Sequence, residues 1–112
     1  MEKFMLIFHG GIKQGASPEE LQANMGQWMN WIEKLNKDGR YVAGEPLLPG
    51  GKLVTGKNAV TDGPYTEGKE LVGGYFVISA NSLEEAAEIA KDYPDFSYNG
   101  TVQVRQIMKI DM

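Results

Sequence analysis

The sequence predicts an α+β protein of the ferredoxin-like kind, a βαββαβ sandwich with a hairpin inserted after its second strand. Three observations carry that prediction. Two runs, Phe4–Phe8 and Tyr75–Ala80, have the length and apolar content of strands in a sheet. Two segments, Ser17-Pro18-Glu19-Glu20 and Ser82-Leu83-Glu84-Glu85, have the form of a capped helix start. The order strand, helix, strand, strand, helix, strand, joined by right-handed crossovers, puts both helices on one face of an antiparallel sheet.

Taken in order, Lys3–His9 is the first strand. Its apolar residues are continuous rather than alternating, which predicts cover on both faces. Gly10-Gly11 ends it. Ser17 caps the first helix, Pro18 suits its first turn and Glu20 can close a capping box. That helix should run to about Asp38, with Gly39 just past its end. Leu21, Met25, Trp28, Ile32 and Leu35 fall at helical spacing and predict one buried stripe, widened by Met29, with Trp31 on its flank. Tyr41–Leu48 reads as a strand interrupted by Gly44 and stopped by prolines. Lys52–Thr55 and Ala59–Thr61 read as a small hairpin at a sheet edge. Leu71–Ala80 alternates Tyr75, Val77 and Ser79 with Phe76, Ile78 and Ala80, and Gly73-Gly74 suggests a bulge. Leu83, Ala86, Ala87 and Ala90 give the second helix a small-residue packing face. Tyr93-Pro94 should end it, and Val102–Ile110 is the last strand.

The 112 residues suit a single domain, 1–112, with one modest core. Its net charge of −4, with Lys and Arg scattered, argues against nucleic acid or an anionic membrane as partner. The absence of cysteine removes disulfides, thiolate metal sites and thiol nucleophiles. The apolar N-terminal run is too short for a signal peptide or a membrane span, so the expected setting is cytoplasmic. Two helices cover one face of so apolar a sheet. Sheet-on-sheet homodimerisation is the expected cover for the other.

The segment Asp62-Gly63-Pro64-Tyr65-Thr66-Glu67-Gly68-Lys69-Glu70, running on to Gly73-Gly74-Tyr75, resembles the DGPF signature of the YCII-related family, with Tyr65 where phenylalanine is usual. The resemblance extends over almost the whole chain, through Lys3-Phe4-Met5-Leu6-Ile7-Phe8, the Ser17–Glu20 helix start, the Gly39–Gly44 turn, and Leu83-Glu84-Glu85-Ala86 before a proline. It implies a dimeric α/β-barrel type of fold and brings little biochemistry. One branch of that family carries a proposed histidine–aspartate pair, on the first helix and before the proline that follows the second. Here those positions fall at Gln27 or Trp28 and at Tyr93, with Asp92 one step earlier, so the pair does not carry over. The loop residues Asp62, Tyr65, Glu67, Lys69 and Glu70 do.

His9, the only histidine, stands at the end of the first strand and could serve as a general base near neutral pH or bond to backbone. Asp62 could anchor its turn through amides ahead of it, or line a cleft. Tyr65 could close a pocket or pack on a partner subunit. Glu67 and Lys69 belong to a charged run that suits a solvated rim or cross-dimer pairs. Trp28 could wall a pocket between helix and sheet. The first functional expectation is a homodimer whose cleft, near the Asp62–Tyr65 loop, holds a small organic ligand. The second is a cofactor-independent enzyme of proton transfer, isomerase or lyase type, with His9 or Asp62 as base. The third is a structural or regulatory partner domain. One histidine without cysteine predicts neither a metal nor another cofactor.

Overall fold

A computed structural model describes residues 1–12, 15–63 and 71–110. Its elements are β1 (Glu2–His9), α1 (Pro18–Lys37), β2 (Tyr41–Pro46), β3 (Lys52–Gly56), β4 (Ala59–Asp62), β5 (Val72–Ala80), α2 (Leu83–Ala90), a 3-10 helix (Pro94–Tyr98) and β6 (Thr101–Gln106). The main sheet is antiparallel in the order β2-β5-β1-β6. The two strands most apolar in sequence therefore take the centre, and the fold is the ferredoxin-like α+β sandwich.

Along β1 and β5 the side chains alternate. Phe4, Leu6 and Phe8, with Phe76, Ile78 and Ala80, are buried; Met5, Ile7 and His9, with Tyr75, Val77 and Ser79, are only partly covered. The buried set meets Trp31 and Leu35 of α1, Ala86 and Ala90 of α2, and Tyr93. Phe4, Leu6 and Ile78 are at most 1% exposed and each contributes about 1.5–3 kcal/mol. The continuous apolar run of β1 is thus covered by helices on one side alone. Opposite Phe8 and His9 the ladder passes from Gly74 to Val72, so Gly73 is the extra residue of the expected bulge.

Ser17 accepts from Glu20 N and Glu20 reaches back to Ser17 N, the full capping box of α1. Gly39, at φ +70°, takes the left-handed conformation just beyond the Asp38 cap. The buried stripe of α1 differs from expectation. Asn24, Trp31 and Leu35 are buried, Trp28 and Ile32 are partly buried, and Leu21, Met25 and Met29 are exposed. The helix is rolled so that two indoles and an asparagine face the sheet. The expected stripe counted apolar residues only. It missed a polar residue whose hydrogen bond is made inside.

Ser82 caps α2 by accepting from Glu85 N, but the Glu85 carboxylate turns to Asn81 N, one residue earlier than a capping box requires. Leu83 and Ala87 are exposed, so α2 packs through Ala86, Ala90 and the partly buried Ile89. β3 and β4 do not extend the main sheet's edge. They form a separate two-stranded ribbon, exposed along its length. No helix among the described residues is long and apolar enough to cross a membrane.

Candidate functional site

The best-built polar site among the described residues surrounds Asp95. Pro94 starts the 3-10 helix and turns the chain back beneath α1, which carries Asp95 inward to 5% exposure. Asn24 Nδ2 donates to Asp95 Oδ1 at 2.5 Å, and Trp28 Nε1 donates to the same oxygen at 3.2 Å. Ile12 N donates to Oδ2 at 3.3 Å. The carboxylate therefore joins α1, the segment after β1 and the approach to β6. All three donors are neutral, and among the described residues no ion pair reaches it.

Aromatic rings pack beside it. Phe8 stacks on Tyr93 with centroids 5.2 Å apart, and meets Trp28 and Phe76 edge-on at 5.0 Å. Trp31 lies 5.6 Å from Trp28 and 5.0 Å from Phe76. Tyr93 touches Phe96 edge-on at 4.9 Å, and Phe96 is exposed. Burial, and then the nearby Asp95 charge, push the Tyr93 phenol well above the ordinary tyrosine range. The phenol is thus a neutral hydrogen-bonding group beside a carboxylate. Such a pair offers a hydrogen-bond donor and an acceptor side by side.

The sequence-derived candidates fall in different places. Trp28 belongs to this site, as a donor to Asp95. His9 is in the central strand, and strand alternation puts it on the sheet face away from Trp28. Asp62 ends the separate ribbon, its carboxylate paired with Lys52 across the strands and its side chain 81% exposed. Of the amides ahead of it, Gly63 N donates to Gly51 O instead, Pro64 has none to offer, and those from residue 65 on lie outside the described residues. Tyr65, Glu67 and Lys69, like Glu70, lie outside the described residues. Within one subunit, then, His9, Asp62 and Trp28 occupy the open sheet face, the ribbon and the helix face respectively.

Sequence reasoning passed over Asp95, Asn24 and Tyr93. An aspartate directly after a proline has the pattern of a surface turn, and Asn24 interrupts an otherwise apolar helix face. The available signal was the spacing Asn24, Trp28, Trp31, Leu35, as regular as the apolar stripe, sharing Trp28 and Leu35 with it and standing one residue earlier than Met25 and Ile32. A helix-one amide and an aspartate beside the proline do meet, at Asn24 and Asp95 rather than at Gln27 or Trp28 and Tyr93 or Asp92.

The model of a family described as the YCII-related domain matches residues 4–111. No curated protein matches the chain. Similar solved structures include 5-chloro-2-hydroxyhydroquinone dehydrochlorinase from Burkholderia phenoliruptrix AC1100, in complex with 2,5-dihydroxybenzoquinone. It is 17% identical, with 94% of this chain and 93% of that one covered and a TM-score of 0.49. An Arabidopsis thaliana protein, refined as a crystallographic ensemble, is 16% identical over the whole of both chains, with a TM-score of 0.41. A solution structure of a hypothetical Arabidopsis thaliana protein is 15% identical, covering 100% of this chain and 94% of that one, with a TM-score of 0.45.

Proposed function

The chain belongs to the YCII-related family, and from that footing we propose that it acts as a homodimer binding a small organic molecule beside Asp95. The observation that carries this reading is a carboxylate 5% exposed, with neutral donors alone, next to a buried phenol. Burying a carboxylate without a counter-ion costs several kcal/mol, which three hydrogen bonds offset in part. A donor brought by a ligand would supply part of what remains.

A cofactor-independent proton-transfer enzyme is the second reading, with Asp95 placed to accept a proton and Tyr93, its phenol held neutral, serving as a hydrogen-bond donor. Asp62 is a weaker candidate base, because its exposed pairing with Lys52 leaves it hydrated. His9 would reach a substrate only from the open sheet face, where the partner subunit would sit.

The test is a ¹H–¹⁵N titration of the labelled protein with a diverse set of small organic fragments. Binders should shift the Trp28 indole signal and the amide signals of Asp95 and Phe96 in a saturable manner. Hits confined to other surfaces, or none at all, would overturn the reading.

A further inference from the structure

The open face of the sheet carries opposite charges at its two edges, and their placing decides how a second copy lies on it. Residues directly opposite one another on neighbouring antiparallel strands share a face. Met5, Ile7, Tyr75 and Val77 look away from the helices, so their cross-strand partners do too. Across the sheet from β2 to β6, one row therefore reads Ala43, Val77, Met5, Arg105. The adjacent row reads Glu45, Tyr75, Ile7, Gln103. The middle of both rows is apolar or aromatic and half-covered, while Glu45 and Arg105 stand exposed at the margins. An apolar centre inside a charged margin is the build of a protein interface.

Neither Glu45 nor Arg105 has an ion pair among the described residues. Lys3, the other cation on this face, lies opposite Ser79, one row beyond Arg105 as counted from Glu45. A partner of one charge sign would match a single edge of such a face. A second copy matches both edges, because it brings the same two signs.

Two stacked sheets with aligned strands can be related by a two-fold axis in two ways. An axis across the strands lays β2 over β2 and β6 over β6, so that Glu45 meets Glu45 and Arg105 meets Arg105. An axis along the strands lays β2 over β6 at both margins. Each Glu45 then stands over Gln103 of the partner subunit, beside the partner subunit's Arg105. Stacked sheets lie about 10 Å apart, a gap that a glutamate and an arginine side chain span together. Like charges set against each other disfavour the first arrangement, and opposite charges favour the second. Given the homodimer proposed above, we infer that each Glu45 pairs with the partner subunit's Arg105, and that these two pairs fix the two-fold axis along the strands.

Charge reversal tests the pairing, read by sedimentation equilibrium with circular dichroism to follow folding. Both residues are exposed on edge strands, so the variants should fold. Glu45→Arg and Arg105→Glu should each weaken the dimer at least about tenfold at low salt, since each sets like charges together at both margins. The losses should shrink as salt rises. The chain carrying both substitutions has opposite charges at both margins again, and should dimerise to within about threefold of the parent. Glu45→Gln removes a charge without adding one, and should weaken the dimer roughly threefold even if a reversed charge disturbs its strand. Single reversals and Glu45→Gln as tight as the parent would overturn the pairing and leave the homodimer standing. A double variant no tighter than the single reversals would overturn it in the same way. A parent that is monomeric at micromolar concentration would bring down the homodimer reading itself.

Discussion

Tyr93 and Asp95 are two residues apart, and each sets the terms for the other. Burial raises the Tyr93 phenol first and the Asp95 charge raises it further. A group whose folded pKa lies above its unfolded value adds stability below the unfolded pKa and loses it as pH climbs through the folded one. For tyrosine that loss begins near pH 10. Tyr93→Phe should therefore match the parent at pH 8 and become the more stable protein above pH 10. The gap should grow by up to ~1.4 kcal/mol per pH unit. Urea denaturation followed by circular dichroism from pH 8 to pH 12 measures it. Parallel curves across that range would show that the phenol ionises as freely in the fold as outside it. Tyr41, also raised by burial first, is present in both proteins and cancels in the comparison. At this scale the sequence was least informative. Nothing in Tyr93-Pro94-Asp95 says that the aspartate turns inward; the asparagine and the indole that receive it lie 71 and 67 residues away.

Helices and strands were more legible, because their signals are local. The Ser17 capping box, the Gly39 terminator and the alternation of β5 need only neighbours in sequence to take effect. What escaped notice was set by distant contacts: the roll of α1, and the turn of Glu85 away from its own cap. Arg40, just before β2, explains the second. Its guanidinium pairs with the Glu85 carboxylate and also donates to Ser79 O at 3.3 Å, so one arginine links β2, β5 and the start of α2. The Glu85 carboxyl is held below its usual range, chiefly by the Asn81 amide and next by Arg40. A lowered folded pKa gives stability that is present above the unfolded value and lost as pH falls through the folded one. Glu85→Gln should thus be modestly less stable than the parent at pH 7, as befits a pair within reach of solvent. The difference should shrink below about pH 4.5 as the parent protonates. Thermal melts at pH 7 and pH 3 test this, and an undiminished difference at pH 3 would remove the carboxylate from the explanation.

For the molecule as a whole, the sheet is the controlling fact. α1 and α2 cover the Phe4, Leu6, Phe8, Phe76 and Ile78 side, which leaves Met5, Ile7, Tyr75 and Val77 half-covered on the other. The placing of both helices on one face was legible, since a βαββαβ order with right-handed crossovers allows little else. The separate course of β3 and β4 was not, because a two-stranded ribbon has the same sequence pattern whether or not it joins an edge. Such a ribbon is marginal in water by itself, and its exposed Leu53, Val54 and Val60 add apolar surface that a single subunit leaves wet. The proposed homodimer would cover the open sheet face, and the two faces of β5 provide its test. Ile78 is fully buried toward the helices, so a charge there should unfold the chain. Val77 points to the open side, so Val77→Glu should leave the subunit folded by circular dichroism and place an unpaired carboxylate in the dimer contact. A cost of about 3 kcal/mol would weaken dimerisation by more than 100-fold. Sedimentation equilibrium at micromolar concentration should then find the parent as a dimer and the variant as a folded monomer. A parent that sediments as a monomer, or a Val77→Glu dimer as tight as the parent's, would mean that the open face of this sheet meets water and that subunit pairing has to be sought elsewhere on the chain.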